Sequence, residues 1–196
     1  MAQRVLIVHG GNSFDEYSAY LEYLRTRTID LNRMKAGLGW KDHLQRDLGD
    51  DFDVIQLSMP DRDNAKYLEW SIWFNRVLNL SDDPVILIGH SLGAVFLAKY
   101  LSEEEVSVPI VSTVLVAPPY GHDSRGGELI EFELSESLSQ LSEQGGAIHL
   151  FHSEDDPVIS FNELAKYRAA LPDAVVHIFK DRGHFNAAQF PQIFRR

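Results

Sequence analysis

No cysteine occurs anywhere in the 196 residues. That absence excludes disulfides, Cys-ligated zinc, thiolate nucleophiles and CxxC redox pairs. It leaves the compartment open, because secreted proteins also exist without Cys. Long apolar runs are missing too. The N-terminal run is only Val5-Leu6-Ile7-Val8, closed by His9-Gly10. This is too short for the core of a signal peptide, and no stretch approaches the roughly 18 apolar residues of a membrane span. The expectation is a soluble cytoplasmic protein without a membrane span. Positive charge is in short supply. Eighteen Lys and Arg against 29 Asp and Glu give a net charge of −11, which argues against nucleic acid and anionic membranes as partners, since both are polyanions. The acidic runs at 50–53 and 103–105 read as solvated turns, and Arg25, Arg27, Arg33 and Lys35 as a solvated helix face.

What is present is ordinary for one globular domain with a real core: 44% hydrophobic and 24% charged residues in a length that fits a single unit, here 1–196. Six short, β-branched, continuously apolar runs recur along the chain: Val5–Val8, Val54–Leu57, Val85–Ile88, Val111–Val116, Ala147–Phe151 and Val175–Phe179. Runs of this kind suit strands covered on both faces. Helical patterns lie between them. Ser91–Leu101 is almost wholly apolar and reads as a buried helix. Tyr67–Leu80 places Tyr67, Trp70, Trp73, Phe74 and Val77 at helical spacing, and Glu131–Leu141 and Asn162–Leu171 read as amphipathic helices. Alternating strand and helix predicts a parallel sheet with helices on both faces, an α/β fold. Ligands then bind at the carboxyl ends of the strands, so the residues just after each strand carry the functional argument.

The third run leads into Gly89-His90-Ser91-Leu92-Gly93, a G-x-S-x-G sequence between a strand and a helix. The chemistry needs this spacing. A serine on a sharp strand-to-helix turn projects its hydroxyl from the sheet, and small residues two before and two after let the turn close. The amide of Leu92 then faces the reacting carbonyl at a helix N-terminus, where an oxyanion is favoured. A serine nucleophile needs a base, and the base an orienting carboxylate. The acids follow the fifth strand in His152-Ser153-Glu154-Asp155-Asp156-Pro157, and His184 follows the sixth in Asp181-Arg182-Gly183-His184-Phe185. Among the eight histidines, His184 has the position a base requires. His149 and His177 fall inside strands, His90 points away from Ser91, His43 is solvated on a helix, His122 is the loop alternative, His152 crowds the acids, and His9 shapes its own glycine turn. The residues alone leave Asp155 and Asp156 both open, with Pro157 favouring Asp156 by stiffening the turn that presents it. His9-Gly10-Gly11-Asn12 follows the first strand. Paired glycines allow close backbone approach, so Gly11 is the second oxyanion donor, with Asn12 as the alternative.

These residues resemble the α/β-hydrolase superfamily. More narrowly, Val8-His9-Gly10-Gly11-Asn12, Met59-Pro60-Asp61 leading to Trp70, the Gly89–Gly93 elbow, Asp155-Asp156-Pro157 and Gly183-His184-Phe185 resemble the small serine hydrolases of the retinoblastoma-binding-protein-nine type. The resemblance implies the second Asp of the pair, Asp156, as the acid. It also implies a compact six-stranded, mainly parallel sheet in the order 2-1-3-4-5-6 without a large cap domain, and hydrolysis of carboxylic esters with no metal or organic cofactor. A small ester or acyl compound is then the partner. The motif tied to retinoblastoma binding needs a Cys and is not carried over. Residues 12–38 look longer than the family's corresponding stretch. They carry Phe14, Tyr17, Tyr20, Leu21, Tyr23 and Leu24, and are expected either to roof the active-site mouth like a lid or to add core at the domain's side. Thioesterase, amidase or peptidase chemistry would use the same residues. A binding module with a vestigial triad is the reading from another class, and the intact Ser91, Asp156, His184 and glycine turns argue against it.

Overall fold

The computed structural model describes residues 2–31, 39–121, 129–135, 137–190 and 193. Six strands, β1 (Gln3–Val8), β2 (Phe52–Leu57), β3 (Val85–His90), β4 (Ile110–Val116), β5 (Ala147–Ser153) and β6 (Val175–Phe179), form one sheet in the order β2-β1-β3-β4-β5-β6. Every pairing is parallel, as the alternation of elements requires. The described helices are α1 (Tyr17–Thr26), α2 (Trp40–Leu48), α3 (Tyr67–Leu78), α4 (Leu92–Glu103), α5 (Ser139–Gln144) and α6 (Glu163–Ala170).

The continuous apolar runs follow from burial on both faces of the sheet. On one face Leu6, Val8, Leu87, Leu115 and Leu150 pack against Trp70 and Phe74 of α3, most of α4, Leu141 of α5 and Tyr167 of α6. On the other face Val5, Ile7, Ile88, Val114 and Phe151 pack against Trp40 and Leu44 of α2 and against Phe185 and Phe190 beyond β6. α4 buries nine of its residues from Leu92 to Leu101, as its near-continuous apolar sequence predicts. No described helix is long and apolar enough to cross a membrane.

One expectation changes. The amphipathic helix expected over Glu131–Leu141 is instead a 3-10 turn at Ile130–Phe132 followed by the short α5. Serines break it. Ser135 Oγ donates to the Ser137 carbonyl, and the Ser139 amide donates to Ser137 Oγ, so side chains take backbone partners that a helix would need. Of residues 12–38, 32–38 lie outside the described residues. α1 forms in this segment and none of its own residues is buried. It lies beside the loops after β1 and β2. Asn12 Nδ2 donates to the Tyr23 hydroxyl at 3.1 Å and Lys66 Nζ to the Phe14 carbonyl at 2.6 Å. Phe14 packs against Tyr20 and Tyr23 in tilted pairs with ring centroids 5.6 and 5.1 Å apart.

Candidate active site

The carboxyl ends of the strands gather the residues singled out from sequence. Ser91 sits between β3 and α4 with φ 56° and ψ −121°, the strained geometry of a nucleophile elbow. Steric closeness explains its glycines. A Cβ on Gly93 would run into the carbonyls of Val8 and His9, and one on Gly89 into Gly93 and Ala94. The Ser91 amide donates to the Val116 carbonyl at 2.9 Å, which pins the elbow to β4. Left-handed backbone at non-glycine positions occurs at Asp61, Ser91, Ala117 and Phe185 among the described residues. All four follow the carboxyl end of a strand, so strain collects on the side where ligands bind.

His184 and Asp156 are brought together. His184 Nδ1 donates to Asp156 Oδ2 at 2.9 Å, with the two side chains 10% and 2% exposed. Asp156 is fixed by its own turn, its Oδ1 accepting from the amides of Val158 and Ile159 at 2.8 and 3.0 Å, an Asx-type arrangement. The Nδ1 bond leaves Nε2 of a neutral His184 with its lone pair. No hydrogen bond within 3.5 Å joins Ser91 Oγ to the His184 ring among the described residues. The His184–Asp156 contact is thus closed and the Ser91–His184 contact open. Contacts of this kind commonly tighten only with substrate bound.

Asp155, the competing acid, does something else. Its Oδ1 accepts from Ser153 Oγ at 2.6 Å and from the Gly183 amide at 2.8 Å, while Ser153 Oγ accepts from the Arg182 amide at 3.0 Å. The Ser153 hydroxyl, then the Gly183 amide, hold its carboxyl below the usual carboxylate range. Asp155 therefore anchors the loop that carries His184 and leaves Asp156 as the carboxylate on the ring.

In the loop after β1, the Asn12 amide is taken by the Arg62 carbonyl at 2.9 Å and so is not available as a donor to a ligand. Gly11 has no room for a side chain, since a Cβ would strike the Arg62 carbonyl. His9 shapes this loop as expected. Its Nδ1 donates to the Gly10 carbonyl at 2.8 Å and its Nε2 accepts from the Met59 amide at 3.2 Å. Burial holds its pKa down. Leu92 lies in the first turn of α4, where amides have no intrahelical acceptor.

The other histidines divide as follows. His149 and His177 face each other across β5 and β6 at 3.1 Å, and His152 is buried with its Nε2 unpartnered. His43 is half-buried, and His122 lies outside the described residues. Two supports are not evident from sequence. Glu163 is fully buried and accepts from the Tyr120 and Gly121 amides at 2.6 and 2.9 Å, fixing the loop after β4. Trp40 Nε1 donates to the Phe185 carbonyl at 2.9 Å. Both join segments far apart in the chain, and neither has a local motif. Among the described residues no group of three His, Asp or Glu is placed to ligate a metal.

A parallel sheet in this order, with a serine on the strained turn after β3, acids after β5 and a histidine after β6, defines an α/β-hydrolase. Residues 35–193 match the family model described as serine hydrolase, and the chain belongs to that family. It is 26% identical over 144 residues to the serine hydrolase RBBP9 of Rattus norvegicus, covering 74% of this chain and 75% of that one. Among solved structures it is similar to the ydeN gene product of Bacillus subtilis, with TM-score 0.70 and 16% identity over 98% of this chain and 95% of that one. Naproxen esterase from Bacillus subtilis also matches, with TM-score 0.65 and 11% identity over 98% and 80% of the two chains.

Proposed function

We propose that this serine hydrolase cleaves small carboxylic esters through an acyl-enzyme, with Ser91 as nucleophile, His184 as base and Asp156 as its orienting acid. The observation that carries the reading is the 2.9 Å bond between His184 Nδ1 and the buried Asp156 carboxylate, on the same sheet edge as the strained Ser91 turn. In the first step Ser91 Oγ bonds to the ester carbonyl carbon and its proton passes to His184 Nε2. Asp156 keeps the Nδ1–H tautomer and stabilises the imidazolium. The carbonyl oxygen becomes an oxyanion held by the amides of Leu92 and Gly11. Collapse breaks the C–O bond, and His184 returns the proton to the leaving alcohol. Water, deprotonated by His184, then hydrolyses the acyl-Ser91 bond by the same two steps. α1, standing beside the oxyanion loop, roofs the mouth and bears on the choice of acyl or alcohol group.

Fluorophosphonate labelling and hydrolysis of p-nitrophenyl esters test this. Both should be lost in Ser91→Ala with an unchanged melting temperature, and labelling that persists refutes Ser91 as nucleophile. A series of acyl lengths, run beside thioester and amide substrates, reads the bond that is preferred.

A further inference from the structure

One buried connection lies behind the proposed base. Lys41 Nζ is 2.9 Å from His90 Nδ1, and His90 Nε2 is 2.9 Å from the backbone carbonyl of His184. The His90 and His184 ring centroids are 4.9 Å apart. The donors can be assigned. A backbone carbonyl only accepts, so His90 carries its proton on Nε2, and its Nδ1 accepts from Lys41. Lys41 also sits over the Trp40 ring at 5.3 Å, and Trp40 holds the next carbonyl, that of Phe185. The first two residues of α2 thus hold two successive carbonyls of the base loop, one directly and one through the elbow histidine.

Nothing in local helix chemistry favours Lys41 where it is. It occupies the first turn of α2, where the helix dipole disfavours a cation, and it is partly buried, which disfavours any charge. Residues that break local rules are expected at functional sites. We infer that Lys41 and His90 are positioning residues for His184, the Lys41 ammonium fixing the Nε2–H form of His90 so that this N–H holds the His184 carbonyl and aims the base. The inference rests on the reading of His184 as base.

The ammonium form matters because it has no lone pair. A neutral amine has a lone pair that can accept a hydrogen bond from Nδ1–H, so it permits the other tautomer of His90. In that tautomer the bare Nε2 faces the His184 carbonyl, two acceptors meet and the loop is released. Burial, then the Arg62 charge, lowers the Lys41 pKa to about 8, so the lock opens on the alkaline side of neutrality. The groups that face Lys41 are Asp42 on its own helix, Arg62 after β2, His90 in the elbow and His9 after β1, while His184, with Asp156 behind it, faces His90. Asp42 opposes the shift. Burial lowers the pKa of His9 and, further, that of His90, so the titration of these two lies on the acid side of that of Lys41.

The test uses the full chain and a p-nitrophenyl ester, comparing Lys41→Met, Lys41→Arg, His90→Gln and the double variant Lys41→Met with His90→Gln. Lys41→Met should lower kcat about tenfold to a hundredfold, the scale of a misplaced catalytic group. Its melting temperature should hold or rise, since a buried cation is gone. Lys41→Arg, which keeps charge and donor, should recover most of kcat and push the alkaline fall in kcat beyond pH 10. His90→Gln keeps a donor for the His184 carbonyl and removes the titratable link. It should be active with no alkaline fall near pH 8, and adding Lys41→Met to it should change little. The inference is overturned if Lys41→Met leaves kcat and the alkaline limb as in the parent, or if its effect is undiminished in the His90→Gln background. If instead His184→Ala and Ser91→Ala retain activity, the underlying assignment of the base fails, and that result is distinct from the others.

Discussion

Two adjacent aspartates show how little separation is needed for two roles. Asp156 lies on the His184 ring while Asp155 binds the amide of Gly183, one residue before that ring. Replacing each should therefore fail differently. Asp156→Asn should lower kcat by about 10⁴, because the amide no longer fixes the tautomer that leaves Nε2 free, while KM stays near the parent value. Asp155→Ala should cost about tenfold to a hundredfold in kcat by loosening the loop. That loss should be recovered in part by Asp155→Asn, whose Oδ1 still accepts from Ser153 and Gly183. Steady-state kinetics on one ester distinguish the two, and equal losses in Asp156→Asn and Asp155→Ala would contradict the division. Gly11 behaves as a third kind of residue, required for its missing side chain. Gly11→Ala drives a Cβ into the Arg62 carbonyl, displacing the amide that would bind the oxyanion. Losing one such donor should lower kcat by about 10²–10³. The turns that carry Ser91, His184 and Gly11 could be placed from sequence because each belongs to a short local pattern. The choice between Asp155 and Asp156 needed the resemblance, since their spacing to any partner is set by the fold. Lys41 was not legible at all: its partner lies 49 residues away and no local motif carries it.

At the scale of elements, legibility followed burial. The strands read cleanly because both sheet faces are covered, and each run was found to within a few residues of its bounds. α4 read cleanly because it is apolar on nearly every side. The failure fell on Glu131–Leu141, where a plausible apolar spacing was outweighed by serine side chains bonding to nearby backbone. For α1 the sequence showed a run of aromatic residues but not that the helix carrying them buries none of its residues. That placement has an energetic consequence. With no buried residue, α1 adds little hydrophobic stabilisation. It is held by contacts at its edge, among them Asn12 to Tyr23 and Arg27 to Asp63 at 3.5 Å, and an exposed ion pair of this kind is worth about 0–1 kcal/mol. Removing residues 14–36 and closing the gap with a short Gly-Ser linker should therefore shift the urea midpoint only slightly. The ratio of kcat/KM between short and long acyl esters should change if α1 roofs the mouth, and an unchanged ratio in the folded variant would sink that role.

At the scale of the whole molecule, net charge and buried histidines act in opposite directions as pH falls. The charge of −11 shrinks on acidification, which relieves self-repulsion. His9, His90, His149, His152 and His177, however, all have their pKa lowered, burial being the first cause for each. A base with a depressed folded pKa is neutral when folded and charged when unfolded, so its contribution is complete above the unfolded value near 6.5 and is lost below it. His152 is the clearest case. It is 1% exposed, and burial pushes it to about 4, so between pH 6.5 and 4 its neutrality costs about 1.4 kcal/mol per pH unit, in all about 3 kcal/mol. Asp155 adds a loss of the same sign in a lower window, because its carboxyl is held down when folded and its contribution disappears only as pH falls through that depressed value. Histidine burial should dominate between pH 6.5 and 4, with stability falling despite the diminishing charge. Urea midpoints measured at half-unit steps should show this decline. Raising NaCl to 1 M should leave most of it in place, since salt screens exposed charges and not a buried ring. His152→Leu, of similar volume and without the unpartnered Nε2, should flatten the slope in that window. A variant with the parent's slope would show that the proton refused by His152 is not what weakens the fold in acid.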